Sequence, residues 1–463
     1  MFSKNYPSDD TIVAIATANG KGAIGIIRIS GRNAFQIAEK LCNKNVSKWN
    51  SHTIHLSSFY DNKRPIDQGL VLKFDSPNTY TGEDVIELNC HGSPLILNLI
   101  LNTCIQLGAR LASPGEFTFR AFINGKLDLS QAEAVSDVIN AENEVSLQNS
   151  LKHLKGGFSK SIDKLKGELI HFASLIELEL DFGEEDVEFA DRSQLLSKIN
   201  ELISEINYLV NSFKTGNAIT KGIPVAIVGK PNAGKSSLLN TLLNDDRAIV
   251  SDIAGTTRDT IEELFNIKGV AFRLIDTAGI RISTDQIEQI GIEKAFSKIK
   301  SADIILYLID AEKFDLSEIE YFFEQNQSAS NQIIFCINKI DLMPENKLSE
   351  IRQILKIKKD YNSILISCHL RESIEQLKIM LTADINHKLE NNNHVLTNSR
   401  HYNSLIQTNE HLIKCQAAIE QSNSHDMLAE DLRMALHHLS EITGDISNDD
   451  LLENIFRNFC IGK

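Results

Sequence analysis

Apolar positions along the chain follow two periods, and the changeovers mark out its organisation. Thr11 to Thr17 and Ile24 to Ile29 read as strands, with a hairpin-like turn around Gly20–Gly25 between them. Val225–Val228, Phe272–Ile275, Ile333–Ile337 and Ile364–Ile366 are apolar runs of strand length, as expected of strands buried on both faces of a parallel sheet. Elsewhere the period becomes helical. Leu195, Ile199, Leu202, Ile206, Leu209 and Phe213 recur every three or four residues, as do Leu428, Leu432, Ala435, Leu439 and Ile442. Neither helical stretch has a complete core alone, so the pattern predicts that 123–214 packs against 385–463. The fold expected is multidomain α/β plus all-α: an N-terminal α/β domain (1–122), a discontinuous helical domain (123–214 and 385–463), and an inserted α/β domain (215–384) with a mainly parallel sheet. Lys214–Asn217 is the expected hinge into the insertion.

The inserted strands end in chemistry. Gly229-Lys230-Pro231-Asn232-Ala233-Gly234-Lys235-Ser236 follows an apolar strand and opens a helix. Its glycines let backbone N–H groups close around phosphate oxygens, Lys235 brings charge to the β and γ phosphates, and Ser236 offers a hydroxyl to Mg²⁺. Asp276-Thr277-Ala278-Gly279 ends a later strand, where an acid meets the magnesium shell and a glycine amide the γ-phosphate. Asn338-Lys339-Ile340-Asp341 reads as the guanine-specificity element, and Ser367-Cys368 as the loop closing over the base. Gly255-Thr256-Thr257-Arg258-Asp259 supplies Thr257 as a second Mg²⁺ ligand. Five motifs in this order describe a P-loop, Ras-like G domain that hydrolyses GTP. Ile280 stands where signalling GTPases carry a water-orienting Gln, so the polar groups of catalysis must lie elsewhere. Asn232 is either a ligand for a monovalent cation beside the phosphates or a loop-stabilising side chain.

Charge and composition narrow the remainder. The formal charge of −15 gives no general attraction for nucleic acid, so an RNA contact needs a local basic patch or a partner. No apolar run approaches the roughly 20 residues of a membrane span. The polar start lacks a signal-peptide core, and seven scattered cysteines without a C-x-x-C pair suit a reducing cytoplasm. Gly20–Gly25 spells G-x-G-x-x-G but precedes a strand, which excludes a dinucleotide fingerprint. Arg28, charged within an apolar strand, is either ligand-facing or at a solvent edge. Tyr80–Leu88 and Ser113–Thr118 read as turn-and-strand stretches. A ribosome-assembly GTPase acting as an RNA-binding switch is the main rival reading, and it lacks a recognisable RNA module here.

Taken together, Asp10-Thr11-Ile12-Val13, Gly25–Gly31, Pro114-Gly115-Glu116-Phe117, Lys126–Leu129 with Gln131–Ala134, the nucleotide motifs and the ending Cys460-Ile461-Gly462-Lys463 resemble the MnmE (TrmE) family of tRNA-modification GTPases over almost the whole length. The resemblance implies that the N-terminal domain forms a homodimer and binds 5-formyl- or 5,10-methylene-tetrahydrofolate through Arg28, Glu87, Lys126 and Lys463. It implies K⁺ held by Asn232, Ser251, Ile253 and Thr256, Mg²⁺ held by Ser236 and Thr257, and Glu288 positioning the attacking water. Lys235 acts in catalysis, and Cys460 matches the family's terminal cysteine. GTP contacts are expected from Asn232, Ala233, Gly234, Lys235, Ser236, Ser237, Ser251, Asp252, Ile253, Ala254, Gly255, Thr256, Thr257, Asp276, Thr277, Ala278, Gly279, Asn338, Lys339, Asp341, Ser367 and Cys368. With the FAD-carrying partner MnmG, which would make much of the tRNA contact, such a protein installs aminomethyl or carboxymethylaminomethyl groups at C5 of the wobble uridine (U34).

Overall fold

A computed structural model describes residues 10–181, 192–245, 263–267, 270–275, 302–326, 332–357, 361–390, 395–421, 425–447, 449–457 and 459–463. The chain divides into two compact units, Met1–Asn140 with Ser150–Ile203 and Ser404–Lys463, and Ala141–Asn149 with Ser204–Asn403.

The first unit begins with six strands: β1 (Ile12–Ile15), β2 (Ile24–Ser30), β3 (Thr53–Asp61), β4 (Arg64–Phe74), β5 (Val85–His91) and β6 (Arg110–Leu111), in sheet order β3-β4-β5-β2-β1-β6. All neighbours are antiparallel except β1 and β6. Alternation sends Val13, Ile27, Ile29, Val71, Ile86 and Leu88 to one face, where they form a core with Ile37 and Leu41 of helix Ala34–Cys42 and Leu97 and Ile100 of helix Pro94–Gln106. Each fully buried side chain of this size contributes about 1.5–3 kcal/mol of transfer free energy. The opposite face of β2 and β5 carries Arg28 and Glu87, directly paired in register. Because β2 lies inside the sheet, Arg28 is not at a solvent edge.

Ser113–Thr118 departs from the turn-and-strand expectation, since helix Glu116–Ile123 starts there. The Glu116 carboxylate accepts from the Ser113 N–H at 2.9 Å and from Arg110 and Arg120, which folds the turn back onto the helix start. Helix Leu129–Ile139 is opened by a reciprocal cap. Asp128 Oδ1 accepts from Gln131 N–H (2.9 Å), and Gln131 Oε1 accepts from Asp128 N–H (3.0 Å). Helix Gly157–Asp181 buries Phe158, Ile162, Leu165, Leu169 and Ile176, and packs on helix His425–Thr443, whose Leu428, Leu432, Ala435, Leu439 and Ile442 are the predicted stripe.

Burial, with like charge from Glu133 one turn away, pushes the Asp137 carboxyl up to about 6. Its folded value exceeds the unfolded one, so the stability contribution is fully present below the unfolded value and is lost as pH rises through the folded one. Asp137→Asn is expected to stabilise the chain by about 1–2 kcal/mol at neutral pH and to change little near pH ~4, read from urea unfolding at the two pH values.

The second unit holds β7 (Ile223–Gly229), β8 (Glu263–Ile267), β9 (Val270–Leu274), β10 (Ile304–Asp310), β11 (Gln332–Asn338) and β12 (Ser363–Leu365), in order β12-β11-β10-β7-β9-β8. Only β8 and β9 pair antiparallel. Apolar cores line both faces, closed by helices Lys235–Asp245, Leu316–Asn326, Glu345–Ile357 and Arg371–Glu390. Lys214–Asn217, the expected hinge, instead lies inside helix Arg192–Lys221. The segment at Leu396 crosses that helix so closely that its carbonyl occupies the space of a Gly216 side chain, and its N–H donates to Ser212 Oγ at 3.0 Å. Glycine at 216 serves this crossing rather than a break in the helix.

Candidate functional site

Residues at the C-terminal ends of β7, β10 and β11 converge, the position where open α/β sheets bind ligands. Gly229 ends β7 with φ +143, and Leu308 O lies where its side chain would be. Asn232 follows in the left-handed region (φ 64), then Gly234 at φ +100 with the Asn338 amide in the space a side chain would fill. The loop then feeds helix Lys235–Asp245, whose Leu238, Leu239 and Leu242 anchor it in the core. The Lys235 ammonium folds back to donate to Gly229 O (2.7 Å) and Lys230 O (2.9 Å), and burial holds its pKa below the usual lysine value. Ser236 and Ser237 are exposed at the loop's mouth.

The base-reading strand is tied directly to this loop. Asn338, at the end of β11 and almost wholly buried, donates from Nδ2 to Ala233 O at 2.8 Å. Lys339 turns into the left-handed region (φ 66), which opens the short helix Ile340–Leu342 and leaves Asp341 exposed. The Lys339 ammonium bonds Asp310 Oδ2 at 2.6 Å. Burial opposes the Asp310 charge, but the Lys339 contact and the Glu312 N–H outweigh it and hold the carboxyl below its usual range. The buried Ser367 donates its N–H to Ser373 Oγ (3.0 Å) and accepts from His369 N–H (3.1 Å), which shapes the loop. Cys368 reaches Asn338 Oδ1 at 3.8 Å, its thiol pushed up by burial.

Ser251, Asp252, Ile253, Ala254, Gly255, Thr256, Thr257, Asp276, Thr277, Ala278, Gly279 and Glu288 lie outside the described residues. A further support of the loop was not read from the motifs: Lys230 Nζ bonds Glu318 Oε2 at 2.7 Å, and Tyr307 donates to Glu318 Oε1 at 2.7 Å.

In the first unit, Arg28 Nε meets Glu87 Oε1 at 2.9 Å, with side chains 16% and 19% exposed. The guanidinium lies over Tyr80 (5.4 Å to the ring centre) and Phe117 (5.6 Å), a cation–π environment that orients it. Its Nη1 donates to Gly462 O at 3.1 Å, so the C-terminal tail ends beside this pair. The Lys463 ammonium is half-buried; burial and the Arg28 charge lower its pKa, against Glu87 and Cys460, which raise it. Arg28, Glu87 and Lys463 therefore come together. The Lys126 ammonium donates to Pro77 O at 2.9 Å.

Asn89 lies two residues from Glu87 on the same strand face, and its buried Oδ1 has no hydrogen-bond partner among the described residues. Strand alternation from Glu87 is the sequence signal that points to it.

Residues 129–460 match the family described as MnmE helical domain, and residues 11–126 match the GTP-binding protein TrmE N-terminus. A tRNA modification GTPase MnmE of Flavobacterium johnsoniae is 48% identical over 465 residues, covering 98% of this chain and 100% of the relative. One from Bacteroides thetaiotaomicron is 44% identical over 466 residues, with the same 98% and 100% covered. Among solved structures, the FeoB G-domain from Methanococcus jannaschii covers 35% of this chain and 97% of its own, at 21% identity and a TM-score of 0.26. With likeness sustained over 98% of its length and both family matches in place, this chain belongs to the MnmE (TrmE) family of tRNA-modification GTPases.

Proposed function

We propose that this GTPase runs a K⁺-stimulated cycle and, with an FAD-carrying flavoprotein of the MnmG type, installs aminomethyl or carboxymethylaminomethyl groups at C5 of the wobble uridine of certain tRNAs. The observation that carries the reading is the Asn338–Ala233 bond, which ties the base-reading strand to the phosphate loop beside Lys235. A nucleotide bridging the two is held at both ends by parts already fixed to each other, which favours orientation for in-line attack. In this reading Ser236 and Thr257 hold Mg²⁺, and Glu288 positions water.

Asn232 is exposed in the left-handed region, and its side chain has no hydrogen-bond partner among the described residues. That suits a cation ligand better than a loop brace. With Ser251, Ile253 and Thr256 it would hold K⁺, which supplies positive charge where the β–γ bridging oxygen becomes negative.

The one-carbon carrier, 5-formyl- or 5,10-methylene-tetrahydrofolate, is assigned to Arg28, Glu87, Lys126 and Lys463. One Glu87 oxygen is taken by Arg28. Asn89 Oδ1 has no hydrogen-bond partner among the described residues, and with the Glu87 carboxylate beside it on the same strand face it fits the N–H edge of an amino-substituted heterocycle. Cys460 is exposed next to this site. Residues 1–122 are assigned to folate binding and homodimer formation, 123–214 and 385–463 to the helical domain, and 215–384 to the G domain, with tRNA held mainly through the flavoprotein.

Steady-state GTP hydrolysis in KCl against NaCl at equal ionic strength tests the cycle. A rate about tenfold or more higher in K⁺ is expected, on the scale of a charge-stabilising group at the transition state. Equal rates would remove the cation role of Asn232.

A further inference from the structure

Helix Asp449–Arg457 ends in an aromatic knot. Phe456 and Phe459 pack with Phe119, Leu129 and Leu452, the Phe119 and Phe456 rings 5.4 Å apart edge to face. From there the tail must pass the turn at Gly115. The Gly115 N–H donates to Cys460 O at 3.4 Å, and a side chain at 115 would stand 2.7 Å from Phe456 O and 3.0 Å from Phe459 Cβ. Its φ of +67 adds a conformational demand that glycine alone meets cheaply. Further on, Gly462 (φ +97) passes so close to β1 that a side chain would lie 2.5 Å from Ile15 O. Arg28 then takes the Gly462 carbonyl.

The turn cannot yield to a larger residue by shifting. Glu116, fully buried next to Gly115, is held by Arg110 (2.5 Å) and Arg120 (3.0 Å). Arg120 is in turn bound to Asp10 and Glu83. Removing one partner from such a buried ionic network is costly, so a clash at 115 is relieved on the side of the tail.

We propose that Gly115 is a positioning residue of the one-carbon site: it acts through the tail, setting where Lys463 and Cys460 stand against Arg28 and Glu87. This rests on reading the Arg28–Glu87 site as the carrier's. A glycine that merely opened helix Glu116–Ile123 would affect stability and nothing at the tail.

The test uses the full chain as Gly115→Ala, Lys463→Ala and the double variant, with 5-formyl-tetrahydrofolate as probe in calorimetry. Each single change is expected to weaken binding about tenfold or more, the scale of one lost hydrogen bond to a charged group. The double variant should bind within about twofold of Lys463→Ala, since two changes acting through one contact do not add. Additive losses, or unchanged binding by Gly115→Ala, would overturn the proposal. A second readout is the alkylation rate of Cys460, the one exposed cysteine among the seven. It should rise severalfold in Gly115→Ala, and an unchanged rate counts against the proposal. If Gly115→Ala does not fold, Gly462→Ala carries the same expectations. Wild-type chain that fails to bind the probe at all would contradict the carrier reading, and the alkylation rate then decides the positioning role alone.

Discussion

Lys235→Ala is expected to lower kcat/KM for GTP by about 10³-fold, the upper scale for removing one preorganised donor from a transition state. Among the described residues the ammonium meets only the Gly229 and Lys230 carbonyls and has no acidic partner. Its charge is already disfavoured by burial, so the fold gains little from it. Phosphate oxygens are the groups that would reward it, most of all as negative charge builds during transfer. The variant should therefore keep its melting temperature while losing hydrolysis. Activity within about tenfold of wild type would show that Lys235 does not meet the phosphates.

Asp341→Asn should produce the second large effect, a change of base rather than of rate. Asp341 is exposed on the short helix after Asn338 and makes no ion pair among the described residues, so its carboxylate stays open to a ligand. Two hydrogen bonds from guanine N1–H and the exocyclic amine to a carboxylate are worth about 1.5–3 kcal/mol each. The asparagine oxygen still accepts from N1–H, but its N–H₂ faces the exocyclic amine, so loss of that one bond weakens GTP by about 10–10²-fold, while the amide now donates to a base with a carbonyl at that edge. Competition binding of GTP and xanthosine triphosphate reads the exchange. Retained GTP preference would move base recognition away from Asp341.

How much of this was legible beforehand depended on how local the signal is. The phosphate loop could be read from eight consecutive residues because Gly229, Gly234 and Lys235 impose their own backbone geometry and charge. The strand ends followed from unbroken apolar runs, and β7, β9, β11 and β12 overlap the runs that predict them, whereas β10 was not among them. Contacts between distant parts of the chain carried no such signal. Arg28 and Gly462 meet across 434 positions, and nothing in the strand around Arg28 announces a C-terminal carbonyl or the Tyr80 and Phe117 rings. Gly115 reads as an ordinary turn glycine until the tail is seen passing it. Lys214–Asn217 misled for a related reason: Gly216 marks a close crossing by Leu396, and a glycine that admits a neighbouring backbone looks the same in sequence as one that loosens a helix.

The most direct test of the account is the nucleoside content of tRNA from cells lacking this chain, quantified by mass spectrometry with wild-type and Lys235→Ala complementation. The account predicts loss of the C5 aminomethyl-type groups at the wobble uridine, restored by wild type and not by Lys235→Ala. Unchanged wobble nucleosides, with ribosomal subunits accumulating unjoined, would contradict it and favour an assembly switch.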